Sequence, residues 1–405
     1  MMSEIAIQAA MGLPVPGIRL ATVAAGIRYA DRPDVCLIEV PVGGQVAAVF
    51  TQNRFCAAPV TVAKQHLANQ SIRYLLINSG NANAGTGETG LHAARQSCQS
   101  VADQAGCAAQ QVLPFSTGVI GEDLPLQPIM DAMPHLVDRL ACDAWAAASN
   151  SIMTTDTRPK LCSCQIVLGG QTVTLTGMAK GSGMIHPNMA TMLAYIATDA
   201  AIDQTVMQHW LAEAMDVSFN AISVDGDTST NDACALMASG TSGVQILPNT
   251  PEAEQMQAAI TAVCRYLARE VVLDGEGATK LVEVRVEQAM DAQQARIIAD
   301  TIASSPLVKT ALFAADPNWG RILAAVGRAP VAQLDIHALR IWLDDVCIVS
   351  GGGRDPAYRE AAGQRVMDQA EFVIRVELQQ GDATASVLTC DLSYDYVKIN
   401  ADYRS

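Results

Sequence analysis

"KGSGMIHPNMATMLAYIATDA", residues 180–200, sets a glycine-bearing segment directly against an apolar run. Lys180-Gly-Ser-Gly opens it, His186-Pro187-Asn188 follows, and small Ala190 precedes Thr191, after which the chain reads as a buried strand. A threonine at the start of a strand has an ordinary explanation, because a β-branched side chain suits a pleated surface. It has a chemical explanation too. A threonine hydroxyl becomes a nucleophile when a base lies beside it, and the residue's own α-amino group can be that base. With an ordinary pKa of roughly 7.7–8.0, a sizeable fraction of that amine is neutral near neutral pH. An internal threonine gains such an amine only if the bond before it is cut, and its hydroxyl can make the cut by attacking the preceding carbonyl. The small Ala190 and the glycines upstream ease the strained geometry this needs, and the apolar strand would hold the new terminus. Spacing alone leaves both explanations open.

Composition narrows the field. Of 405 residues half are hydrophobic and 17% are charged, which implies a compact globular protein with more than one lobe. Acidic residues outnumber basic ones 41 to 26, for a net charge of −15, and no Lys/Arg run is long enough to track phosphates, so nucleic acid is not an expected partner. The 11 cysteines are odd in number and scattered, and the close pair Cys162/Cys164 has neither zinc-knuckle nor redox spacing. A reduced, cytoplasmic protein is expected. No basic and apolar leader opens the chain, and no segment approaches the roughly 18 apolar residues of a membrane span.

Strand and helix patterns alternate along the chain. "RYLLIN" (73–78) reads as a buried strand and residues 91–105 as a helix with Leu91, Ala94, Cys98, Val101 and Ala105 on one face. Residues 127–148 read as further helix, with a kink or break at Pro134. Gly169-Gly170-Gln171 lies between two apolar runs, a hairpin signature. Helices are expected near 203–217, 252–269, 291–304, 319–327 and 356–369, and strands near 338–349 and 371–389. The fold class is therefore α/β or α+β, divided into a main lobe over 1–283, a smaller lobe over 284–390 and a tail over 391–405.

Several familiar motifs fail on their context. "GTGETG" (85–90) matches a dinucleotide loop, but "SGNANA" separates its first glycine from the strand, and Asp103 falls inside the helix. A turn of Gly and Asn at a helix start is the better reading, and a nicotinamide oxidoreductase is kept as an alternative. The six histidines form no metal-ligand spacing, so no metal is expected. His186 reads as structural. "SVDGDTSTND" (223–232) alternates Asp as a calcium loop does but lacks the closing Glu, and reads as a turn after a strand.

"KGSGMIHPNMATML" resembles the self-cleavage segment of the glutamate N-acetyltransferase/ornithine acetyltransferase family of arginine biosynthesis. So, in family order, do "FTQNRFCAAPV" (50–60), "INSGNANAGTG" (77–87), "STGVIGE" (116–122), "IMTTDTRPK" (152–160), "VDGDTSTND" (224–232), "DGEGATK" (274–280), "DPNWGRI" (316–322) and "YVKINADYRS" (396–405). The resemblance covers essentially the whole chain. It implies an Ntn-hydrolase-like α/β/β/α sandwich with a smaller C-terminal lobe, and autoproteolysis between Ala190 and Thr191. The α chain (1–190) and β chain (191–405) would stay associated as α2β2 or higher, and the tail would return to the active site. It implies acetyl transfer from N-acetylornithine to glutamate through an acetyl-Thr191, without a cofactor, and allows acetyl-CoA as a second donor. Thr117 and Gly118 match the oxyanion-hole positions, and Thr157, Lys180, Thr191, Glu276, Asn400 and Ser405 match substrate-contacting positions, with Thr154 and Thr155 close rivals to Thr157. Glu276 suits an ornithine ammonium, whereas Lys180 and Asn400 suit the α-carboxylate that both amino acids share. Each also has a plain reading: a strand-end turn at 117–118, a solvated lysine at 180, a surface turn at 276, a tail residue at 400. A related self-processing aminopeptidase or amidase, with water as acceptor, and a non-catalytic protein of the same fold are the remaining alternatives.

Overall fold

The structure, a computed structural model, describes residues 5–69, 71–186 and 192–402. Thr191, Ala190 and Ser405 lie outside the described residues. The chain divides into two compact units, and each carries its own sheets in a mixed α/β arrangement.

The first unit comprises Met1–Gly181, Asn188–Asn220 and Thr228–Val271. Its larger sheet has six strands in the order Gln8–Ala9, Lys160–Leu168, Gln171–Lys180, Leu193–Thr198, Ala233–Ala238 and Gln45–Phe50. The strand that follows the opening motif, Leu193–Thr198, runs antiparallel to Gln171–Lys180 and parallel to Ala233–Ala238. The hairpin at 169–170 closes with both glycines at positive φ, 55° and 80°, as a tight two-residue turn needs. A second sheet orders Arg19–Val23, Val35–Glu39, Tyr74–Asn81 and Val112–Val119, the last two parallel.

Both sheets contribute to one buried cluster, where Leu20, Ile38, Ile77 and Phe115 meet Met178, Tyr195, Ala235 and Met237. On its other face the four-stranded sheet sends Val35, Leu37, Leu76 and Val112 into a cluster with Ala94, Cys98 and Val101 of the helix Gly87–Ala105, and with Ile129, Met133 and Leu136 of the helix Leu126–Asp138. Apolar cover on both faces explains why these strands read as near-continuous hydrophobic runs. Pro134 does not end its helix, which continues to Asp138. Its ring faces solvent while Met133 and Leu136 are fully buried, so apolar burial outweighs the lost hydrogen bond. The break falls later, before the short helix Trp145–Ser151.

The second unit comprises Ser182–Pro187, Ala221–Asp227 and Val272–Ser405. Its seven-stranded sheet orders Ile222–Ser223, Ala383–Cys390, Leu281–Ala289, Glu371–Glu377, Arg340–Leu343, Val346–Ser350 and Gly353–Arg354. Val282, Val284 and Val286 alternate inward to meet Ile298, Ile302, Leu312 and Val326 of the helices Ala292–Ala303, Pro306–Phe313 and Trp319–Gly327. Between them Glu283, Arg285 and Glu287 take the other face, where Arg285 pairs with Glu283 at 2.8 Å. The helix Pro306–Phe313 was not anticipated, although Ser305 followed by Pro at the first helical position signals it. Within the tail, Tyr394–Ala401 is a helix begun by Ser393, whose side chain accepts the Tyr396 N–H.

Among the described residues no helix is long and apolar enough to cross a membrane.

The long helix Pro251–Leu273 lies close to the larger sheet at Gly177. A Cβ there would come within 2.7 Å of Val263 Cγ1 and 3.0 Å of Leu267 Cδ1, both fully buried. Gly177→Ala should therefore destabilise the protein by about 1–3 kcal/mol through overpacking, seen as an earlier thermal or urea midpoint.

Candidate active site

In the first unit the parallel strands Tyr74–Asn81 and Val112–Val119 carry Ser79 opposite Thr117 and Gly80 opposite Gly118. Gly118 has φ 136°, and a Cβ on it would lie within 2.5 Å of the Asn81 nitrogen and would run into the Gly80 carbonyl. Both the backbone conformation and the close strand approach exclude any larger residue. Buried asparagines fix these strand ends. Asn231 donates to the carbonyls of Ala82 (2.6 Å) and Ser116 (2.9 Å), and Asn78 donates to that of Asn81 (2.9 Å). "INSGNANAG" thus builds the floor beside Thr117. The "GTGETG" stretch is packed with its own side chains, Thr86 donating to Asn83 and Asn83 to the Gly90 carbonyl.

Thr117 is buried, and its hydroxyl oxygen accepts from Lys180 Nζ at 3.3 Å. Lys180 is not a solvated lysine; only 4% of it is exposed. Its ammonium lies 4.0 Å from Asp156, whose other carboxylate oxygen binds Lys160 Nζ at 2.6 Å and the Gly181 N–H at 2.7 Å. Burial alone would raise the Asp156 pKa, but the Lys180 and Lys160 ammoniums and the Gly181 N–H outweigh it and hold it at about 2. One buried carboxylate therefore faces two buried ammoniums, one of which bonds the Thr117 hydroxyl. Thr157, next in sequence to Asp156, is exposed.

The 223–232 stretch supplies Asp232 to this unit. It is fully buried, and its Oδ1 accepts the Met192 N–H at 3.0 Å. In the second unit Asp225 accepts the N–H groups of Met184 (2.6 Å) and Ile185 (2.9 Å). What the sequence presents as a plain turn therefore holds described residues on both sides of the 190/191 bond. The alternation of Asp was the available signal, and it was legible only as a calcium-loop pattern that failed.

Glu276 and Asn400 meet in the second unit, where Asn400 Nδ2 donates to Glu276 Oε2 at 2.7 Å. Glu276 is buried, and its backbone N–H donates to the Ser182 carbonyl at 2.9 Å. Its carboxylate sits against Gly183, where a Cβ would come within 2.5 Å of the carboxylate carbon. Tyr396 OH donates to Asp225 at 3.3 Å. Burial, and then Asp225, push that phenol's pKa up, so it stays a donor throughout the working pH range. His186 is half-buried with its pKa lowered, chiefly by burial.

The ArgJ family profile matches residues 19–405. An "Arginine biosynthesis bifunctional protein ArgJ" of Methylococcus capsulatus is 56% identical over 393 residues, spanning 97% of this chain and 96% of its own. A protein of the same name from Pseudomonas syringae pv. tomato is 51% identical over 397 residues, 97% of each chain. A solved arginine biosynthesis bifunctional protein ArgJ from Bacillus halodurans is 37% identical, with a TM-score of 0.49, over 52% of this chain and 98% of that one.

Asp156 should report on acid stability. Its pKa is depressed on folding, so its contribution is complete above the unfolded value near 3.9 and is lost as pH falls toward about 2. Asp156→Asn removes the anion between two buried ammoniums and should cost about 3–5 kcal/mol near neutral pH. The gap between wild type and variant should narrow between about pH 5 and about pH 2.5, which urea midpoints at the two values will measure.

Proposed function

This chain belongs to the ArgJ family, and from that premise we propose that it transfers the acetyl group of N-acetylornithine to glutamate after cutting itself between Ala190 and Thr191. The observation that supports it best is the buried Thr117 hydroxyl, which accepts from Lys180 beside a glycine that no other residue can replace. Because its oxygen already accepts from a cation, its own proton is left to be given away. That is the arrangement an oxyanion donor requires.

The chemistry then runs in two stages. In the first, the Thr191 hydroxyl attacks the Ala190 carbonyl, the acyl group shifts from nitrogen to oxygen, and water hydrolyses the ester, leaving Thr191 with a free amine. In the second, that amine takes the hydroxyl proton as the oxygen attacks the acetamide carbonyl of N-acetylornithine. The Thr117 hydroxyl and the Gly118 N–H hold the tetrahedral oxyanion. Its collapse returns the proton to the departing ornithine amine and leaves an acetyl ester on Thr191. The glutamate amine attacks that ester by the same path in reverse.

Lys180, Thr157 and Asn400 serve the substrate's polar groups, with Ser405 at the tail, and Glu276 serves the ornithine ammonium. The Asn400 amide on Glu276 gives that carboxylate one fixed partner. The relatives are named bifunctional, which accords with acetyl-CoA as a second donor. In this reading the first unit adopts the Ntn-hydrolase-like α/β/β/α sandwich, and the α and β chains remain together in an α2β2 or larger assembly.

On a denaturing gel the wild type should run as two pieces, 1–190 and 191–405, and the second should give Thr-Met-Leu-Ala-Tyr on N-terminal sequencing. Thr191→Ala should stay as one chain without transferase activity; a variant still cut at 190/191 would assign the cut to an outside protease.

Transfer through an acetyl-threonine should give parallel double-reciprocal plots for the two substrates, and intersecting lines would exclude the covalent intermediate. Thr117→Ala should slow turnover roughly a hundredfold or more.

A further inference from the structure

Asp156 is a buried carboxylate to which the two-stage chemistry gives no part. Its Oδ1 accepts from Lys160 Nζ at 2.6 Å and from the Gly181 N–H at 2.7 Å. Its Oδ2 accepts the Thr154 N–H at 3.0 Å and lies 4.0 Å from Lys180 Nζ. Gly181 follows Lys180 directly, so the carboxylate holds the end of the strand Gln171–Lys180 by its backbone while facing its last side chain. The neighbouring strand sets Lys160 opposite Ala179 and brings its ammonium to the same end. A buried ammonium keeps its charge only where an anion stands beside it. Asp232 also feels the Lys180 ammonium, but burial pushes its pKa well above the carboxylate range. Burial acts on Asp156 too, yet the two ammoniums and the Gly181 N–H outweigh it, so Asp156 stays ionised.

The Lys180 ammonium donates to the Thr117 hydroxyl oxygen at 3.3 Å, beyond the usual N–H···O range, so the contact depends on where the ammonium is held. A threonine hydroxyl turns to suit its neighbours, and it both donates and accepts. With Lys180 donating to its oxygen, the hydroxyl proton must point elsewhere. We propose that Asp156 is a positioning residue for the Thr117 donor: it keeps the Lys180 side chain charged and set against the Thr117 oxygen, and thereby fixes the direction in which Thr117 gives its proton. Asp156 acts through Lys180 in this role, and no bond is made or broken. The proposal rests on the reading of Thr117 as an oxyanion donor given above. It adds that the donor's aim is set from the far side of the lysine, by a residue that the resemblance did not single out.

The test is a double-mutant cycle in kcat for acetyl transfer, built from Asp156→Asn, Thr117→Ala and the two combined. Asp156→Asn should lower kcat about tenfold in the wild-type background, and less than about twofold once Thr117 is alanine, because the group it positions is then gone. A residue that only holds the fold would lower kcat by the same factor in both backgrounds. That result overturns the proposal, as does an Asp156→Asn enzyme with wild-type kcat. If Asp156→Asn does not fold, Asp156→Asn/Lys160→Met also removes the ammonium left without its carboxylate, and the same cycle is run against Lys160→Met alone. A variant that is not self-cut is assembled from residues 1–190 and a second chain beginning Met-Thr191, with the initiator methionine removed, so that every enzyme compared is in the cut form. A Thr117→Ala enzyme with wild-type kcat instead sinks the oxyanion reading itself.

Discussion

The Asp156 carboxylate lets two lysine ammoniums exist inside the first unit. Lys160 and Lys180 are each almost wholly removed from solvent, and neither could be kept charged there without an anion. Asp156 meets Lys160 directly, stands 4.0 Å from Lys180, and takes the Gly181 N–H, which fixes the chain where it leaves the strand Gln171–Lys180. That strand end is where the glycine-rich segment begins. The same carboxylate thus sets the field at the Thr117 hydroxyl and the point from which the cleavage segment departs. The two ammoniums and this carboxylate are placed by the strands Lys160–Leu168 and Gln171–Lys180, which run antiparallel and set Lys160 opposite Ala179.

Close backbone approach is the second constraint. Tyr74–Asn81 and Val112–Val119 run parallel and come so near at Gly80 and Gly118 that no Cβ fits at 118. Parallel strands buried on both faces normally pack by large apolar side chains, as these do at Leu75, Ile77, Leu113 and Phe115. At their ends the pattern switches to Asn, Ser, Thr and Gly, and the buried amides of Asn78, Asn81 and Asn231 satisfy the carbonyls that the ladder leaves open. A polar floor of this kind is rigid because each amide has a fixed partner, and a rigid floor is what a preorganised donor pair needs.

The stretch 223–232 shows how one turn can serve two units. Asp225 receives N–H groups of Met184 and Ile185 in the second unit, and Asp232 receives that of Met192 in the first. Carboxylates that accept backbone N–H groups replace the hydrogen bonds an irregular segment cannot make with itself. Glu276 and Asn400 form a comparable pair, joining the turn after the helix Pro251–Leu273 to the tail helix.

By itself the sequence determined the mixed α/β class, the hairpin at 169–170, most of the helices and the family, since hydrophobic periodicity, paired glycines and a dozen-residue motif are local properties of the chain. It also singled out Thr117, Gly118, Lys180, Glu276 and Asn400, through resemblance. Tertiary structure alone decided what surrounds them. Lys180 and Glu276 are buried, although a lysine after a strand and a Glu between two glycines each look like surface residues; burial depends on what packs over them from distant parts of the chain. Pro134 is absorbed into a helix because its ring happens to face solvent while its neighbours face a core. The roles of Asp156, Asp225 and Asp232 were illegible for the same reason. An aspartate in a turn looks alike whether water or a remote N–H fills its oxygens, and only the folded chain brings Lys160, Met184 and Met192 to within hydrogen-bond reach of these carboxylates.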